Sequence, residues 1–152
     1  MTPLGLIAED DPRKSDALLE LTNEICSGWQ WRIERDFNGA MRAIEEMDFS
    51  IILMDITLPC FATGFLDADN PPMNLAGRDI IREVELIGRP CKVIVVTQFR
   101  SFAEATGGIS FDDLRAELET ACPNVFYGMI QFEYDSEQWR GSLKELLIRA
   151  LK

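Results

Sequence analysis

Three acidic residues, Glu9, Asp10 and Asp11, follow the apolar run LGLIA at positions 4–8. A fourth, Asp55, follows SIILM at 50–54, and a hydroxyl, Thr97, closes CKVIVVT at 91–97. Charges at the mouths of apolar runs gain nothing for a core. Brought together, they repel: two unit charges about 4 Å apart cost ~4 kcal/mol at an effective dielectric of about 20. Protonation or a cation relieves such a cluster. A hard divalent ion with oxygen ligands, few of them from protein, describes Mg²⁺. With that ion in place, an ionised aspartate can act as a nucleophile toward phosphorus, and a nearby hydroxyl can donate to the phosphoryl oxygens. Asp55, alone at the end of its run, is the candidate nucleophile. Glu9 and Asp10 are candidates to share the metal, and Asp11 reads as a helix N-cap or first-turn charge.

Other chemistries are excluded by composition. The 152 residues include no histidine, which removes His-based triads, histidine general bases and His-ligated zinc. A formal net charge of −11, from 26 acids and 15 bases, argues against direct nucleic-acid binding, which needs a basic face. It suits a cation site or a basic protein partner. The four cysteines form no C-x-x-C pair, and neither a signal peptide nor a transmembrane segment is expected. Free thiols in a reducing cytoplasm are therefore expected, without membrane insertion.

The elements that must position these residues alternate strand and helix. Strands are expected at 4–8, 29–35, 50–54, 91–97 and 124–134. Helices are expected over 11–26, with Leu18, Leu21 and Ile25 on one face, and over 38–47, 77–88 and about 111–122. Ser110 with Asp113 reads as a capping box for the fourth helix, and Ser136 as the cap of a final helix through Trp139, Leu143, Leu146 and Leu147. Trp29 and Trp31 read as packing residues. The expected fold is one α/β domain over 1–152: a doubly wound, five-stranded parallel sheet of flavodoxin-like order 2-1-3-4-5 with helices on both faces. Two stretches break the rhythm, an insertion at 56–76 and an extended loop at 98–109. In such sheets ligands bind beyond the carboxyl ends of the strands, so Glu9, Asp10, Asp55 and Thr97 converge there.

The ordered set LIAEDDP, IILMDITLP and VIVVT resembles the receiver domain (CheY-like) of bacterial two-component response regulators, over essentially the whole chain. The resemblance implies that Asp55 accepts a phosphoryl group from a histidine kinase or phosphotransfer protein, with Mg²⁺ as cofactor. It implies that Glu9 and Asp10 are the acidic pair, with Asp10 the direct ligand, alongside Asp55 itself. Thr57 matches the position whose backbone carbonyl binds the metal, Thr97 the hydroxyl that moves onto the phosphoryl group, and Gly77 the glycine that opens the third helix. Output is then a contact with a downstream protein target. The chain is not expected to be an enzyme beyond self-phosphotransfer or autodephosphorylation.

The sequence departs from the family at the fifth strand, which lacks the usual lysine. Gln131 or Phe132 stands there, and Gln131, able to donate a hydrogen bond without charge, is the expected replacement. Arg100 is a second candidate cation and Tyr127 the candidate switch aromatic. The alternative is a pseudo-receiver, a binding module of this fold that is never phosphorylated. A haloacid-dehalogenase-type phosphatase wants a second aspartate where Thr57 stands. A flavodoxin wants a phosphate-binding loop where Glu9, Asp10 and Asp11 stand.

Overall fold

Short runs that are apolar on both faces become strands buried on both sides. In the computed structural model, which describes residues 2–59, 72–73, 75–98 and 109–152, β1 (Leu4–Ala8), β3 (Ile51–Met54) and β6 (Lys92–Thr97) form the middle of a parallel sheet. β2 (Gln30–Glu34) pairs with β1 at one edge and β7 (Phe126–Gln131) with β6 at the other. The order β2-β1-β3-β6-β7 is the expected 2-1-3-4-5 once the strands of this sheet alone are counted. The polar residues after β1 and β3 and the last residue of β6 thus lie at one end of three adjacent strands.

Helices cover both faces. α1 (Pro12–Ile25) and α5 (Gln138–Ala150) bury Leu18, Leu21, Trp139, Leu143 and Leu147 against Ile7, Leu53 and Val96. α2 (Phe37–Glu46), α3 (Ala76–Ile87) and α4 (Phe111–Ala121) bury Ala40, Ile44, Ile80, Val84, Leu114 and Leu118 against Leu6, Ile52 and Val95. Each large aliphatic side chain taken fully out of water contributes about 1.5–3 kcal/mol, which holds the strand ends in place. The caps follow the sequence. The carboxylate of Asp11 accepts from the Arg13 N–H (3.0 Å), and the Ser110 hydroxyl accepts from the Asp113 N–H (3.0 Å). The Ser136 hydroxyl accepts from the Gln138 N–H (3.1 Å), although α5 begins only after Glu137. Trp29 and Trp31 stack with centroids 5.9 Å apart, and Trp31 lies so close over Gly5 that a Cβ there would meet its ring at 2.3 Å.

Three expectations are corrected. The stretch 56–76 contains a small antiparallel pair, β4 (Leu58–Pro59) with β5 (Pro72–Met73); two residues per strand are too few to leave a period in the sequence. The fifth strand of the sheet is shorter than 124–134, because the N–H groups of Asn124 and Val125 donate to the Glu85 carboxylate of α3 (3.3 and 3.1 Å) instead of entering the ladder. Tyr127 is the second residue of β7, its ring facing Lys92 at 5.4 Å. It therefore stands at the starting end of the strands, away from Asp55. Arg100, Asp67, Asp69 and Cys60 lie outside the described residues, as does nearly all of 98–109; Cys26, Cys91 and Cys122 are free thiols.

Candidate functional site

Asp55 is the residue at which β3 stops. Its backbone N–H still donates to the Ala8 carbonyl (3.0 Å), which ties it to the end of β1. Its carboxylate accepts from the backbone N–H groups of Ile56 and Thr57, and the residue is only 7% exposed. Burial raises its carboxyl above the ordinary aspartate range and the charge of Asp10 adds to this, against the lowering effect of Lys14 and the two N–H groups. Glu9 is held the same way from β1. Its N–H donates to the Glu34 carbonyl (3.0 Å), and its Oε2 accepts from the Asp11 N–H (3.0 Å). At 2% exposure, burial and the neighbouring Asp55 push its carboxyl up to about 8.

Asp10 is exposed and completes the group. Glu9, Asp10 and Asp55 each present one oxygen, all within 4.8 Å of one another. The structure therefore brings Asp55 to the adjacent pair Glu9 and Asp10, far from it in the sequence. Thr57 follows two residues after Asp55, half-buried, with its N–H turned to the Asp55 carboxylate. Thr97 is fully buried at the last position of β6, in register with Gln131, and its carbonyl accepts from the Phe132 N–H (2.7 Å). Gln131 donates its side-chain amide to the Gln98 carbonyl (2.6 Å). Phe132, the other residue at that position, is buried and packs edge-on against Tyr134.

A residue not foreseen completes the cluster. Lys14, in the first turn of α1, is 0% exposed. Its Nζ meets Glu9 Oε1 at 2.6 Å and Asp55 Oδ1 at 3.6 Å, and donates to the Val96 carbonyl at 2.7 Å. The short contact with Lys14 lowers the Glu9 carboxyl, but desolvation and Asp55 together outweigh the one ammonium. The sequence did carry a signal. Lys14 falls in line with Leu18, Leu21 and Ile25, on the face that a helix buries.

The remaining support comes from α3. The Gly77 N–H donates to the Ile56 carbonyl (2.8 Å), and a Cβ at Gly77 would lie 2.6 Å from the Asp55 carbonyl oxygen and 2.8 Å from the Ile56 Cα. Only glycine lets the helix start this close behind Asp55. Leu75, just before it, adopts a left-handed conformation (φ 60°), a local strain of about 1 kcal/mol or more that the buried leucine side chain offsets.

The residues fit a hard divalent cation. Three carboxylate oxygens converge, and one ammonium against three carboxylates leaves two negative charges when all are ionised. Such a group supplies the oxygen ligands that a hard, doubly charged ion takes.

No family model matches the chain. A response regulatory protein of Enterobacter cloacae, DtcB of the Detocs system, is 28% identical over 140 residues, spanning 91% of this chain and 93% of that protein. The signal receiver domain of a LuxO repressor protein from Vibrio parahaemolyticus superposes with a TM-score of 0.67 at 16% identity, covering 99% of this chain and 94% of that one. The receiver domain of a sensor histidine kinase from Pseudomonas aeruginosa, solved with magnesium coordinated in its active-site cleft, does so with a TM-score of 0.59 at 18% identity, over 99% and 98%. The chain has the CheY-like fold of response regulator receiver domains, the fold that its sequence resembles.

Proposed function

We propose that the chain is a phosphoacceptor of a phosphorelay, taking a phosphoryl group on Asp55 from a histidine kinase or phosphotransfer protein and signalling through contact with a downstream protein. The convergence of Glu9, Asp10 and Asp55 within 4.8 Å at the strand ends carries this reading. Mg²⁺ held by Asp10, Glu9, Asp55 and the Thr57 carbonyl would neutralise phosphoryl oxygens. Asp55 then attacks phosphorus through a carboxylate oxygen. The new O–P bond forms as the P–N bond of the donor phosphohistidine breaks, and the leaving imidazole keeps the electron pair and takes up a proton. The Ile56 and Thr57 N–H groups orient the attacking carboxylate, and Thr97 stands at the end of the neighbouring strand to donate to a phosphoryl oxygen. The pocket's burial limits water, which would hydrolyse the acyl phosphate. Turnover beyond self-phosphotransfer and autodephosphorylation is not expected. Among the described residues no helix is long and apolar enough to cross a membrane, and the reducing cytoplasm suits the free cysteines.

The test is intact-mass analysis after incubation with Mg²⁺ and acetyl phosphate, beside Asp55→Asn. One added phosphoryl group, absent in the variant and without Mg²⁺, is the expected result. An unmodified wild type would instead favour the pseudo-receiver reading, a binding module whose acidic cluster is only partly offset by Lys14.

A further inference from the structure

A phosphoryl group on Asp55 adds negative charge beside carboxylates that already repel, so a fixed cation must face it. The end of β7 does not supply one: Gln131 is bonded to the Gln98 carbonyl and Phe132 is apolar and buried. Among the described residues, the cation that reaches the pocket comes from the opposite side of the sheet order, on α1. We propose that Lys14 is the phosphoryl-facing cation of this protein, relocated from the fifth strand to the first helix. This rests on the phosphoacceptor reading.

Three observations carry it. First, Lys14 Nζ is within 3.6 Å of Asp55 Oδ1 while wholly excluded from solvent, so its charge is little screened. Second, two contacts fix it in place. Nζ donates to the Val96 carbonyl (2.7 Å) and lies 2.6 Å from Glu9 Oε1, while Asp55 Oδ1, at 3.6 Å, is too far for a hydrogen bond and has no hydrogen-bond partner, so the ammonium keeps donor capacity on the Asp55 side. That capacity is available to a phosphoryl oxygen. Third, the relocation accounts for the loss at β7. The Phe132 ring lies 5.5 Å from Lys14 Nζ, so the aromatic side chain at the strand end packs beside the cation that replaces a strand lysine. The base of α1 is anchored for the purpose: Tyr134, two residues further on, donates its hydroxyl to the capping carboxylate of Asp11, and Arg13 lies over the Tyr134 ring at 4.2 Å.

A purely structural Lys14 and a phosphoryl-facing one differ in the sign of two responses. Removing the ammonium removes a competitor for the divalent cation, so Lys14→Met should bind Mg²⁺ as tightly as wild type or more tightly, read by calorimetric titration. The same variant should lose at least tenfold in the rate of modification by acetyl phosphate and in affinity for beryllofluoride, read by intact mass and ¹⁹F NMR. Phe132→Lys in the Lys14→Met background should recover part of the rate by returning the charge from the strand. If Lys14→Met does not fold, Lys14→Gln, which retains a side-chain N–H donor without the charge, is read in its place. A charge-free variant that is modified and binds beryllofluoride like wild type overturns the proposal, as does one in which Mg²⁺ and beryllofluoride binding weaken together. A wild type that takes up no phosphoryl group overturns the phosphoacceptor reading, and this inference with it; a modified wild type with equally modified variants overturns this inference alone.

Discussion

Replacing Gly77 by alanine sets two opposed effects against each other, and the geometry decides the sign. Alanine favours a helix over glycine by about 1 kcal/mol in a helix interior, and Gly77 lies in the first turn of α3. The added Cβ, however, would lie 2.6 Å from the Asp55 carbonyl oxygen, 2.8 Å from the Ile56 Cα and 3.2 Å from the Ile56 Cδ1. The first two are backbone atoms that cannot rotate aside. Restoring an ordinary contact of about 3.5 Å requires α3 to withdraw by roughly 0.9 Å, the difference from the 2.6 Å contact. That stretches the Gly77 N–H bond to the Ile56 carbonyl, now 2.8 Å, beyond useful length, at a cost of about 1 kcal/mol. Overpacking adds about 1–3 kcal/mol. The net expectation is destabilisation by roughly 1–3 kcal/mol, a fall in Tm of roughly 3–10 °C for a domain of this size. Urea denaturation and a thermal melt measure it. Because the contact is with the residues that hold Asp55, phosphoryl acceptance should fall further than stability does, by on the order of 100-fold for a displacement near 1 Å. A variant as stable as wild type, or more so, would show that helix propensity wins and that the close approach of α3 does not position Asp55.

The other expectations follow from the cluster and its cap. In the metal-free protein the Glu9 carboxyl, pushed up to about 8 from an ordinary 4.5, stays protonated in the fold while the unfolded chain ionises. The stability this group contributes is therefore fully present below pH 4.5 and is lost as pH rises toward 8. Glu9→Gln removes this component, so the stability gap between variant and wild type should widen over that window in urea titrations made with chelator. Parallel pH profiles would sink the account. Asp11→Ala deletes the N-cap acceptor of α1 and the partner of Tyr134, and should cost about 1 kcal/mol by urea denaturation; a neutral result would mean that the cap is redundant.

The alternation of strands and helices was legible because each element states its own burial. SIILM and CKVIVV are apolar on both faces, as only central parallel strands are, and Leu18, Leu21 and Ile25 recur at helical spacing. That alternation pointed to the fold class, and the class, rather than any residue, supplied the sheet order and with it the meeting of Glu9, Asp10 and Asp55 at the strand ends. The family resemblance also marked Gly77, although the reason for a glycine there, the backbone of Asp55 and Ile56 at its back, exists only once α3 is packed. Other features had no local signature. β4 and β5 are two residues each, and the start of β7 is set by a side chain of α3, Glu85, which takes the N–H groups of Asn124 and Val125.

Lys14 marks the boundary most clearly. A lysine near the start of a helix is ordinarily solvated, because burying an ammonium without partners is costly. Whether it is buried depends on carboxylates carried by β1 and β3 and a carbonyl from β6, which come within reach of one another only when the sheet has formed. Residue type and spacing determined where the acids must gather. Tertiary structure decided which cation meets them there.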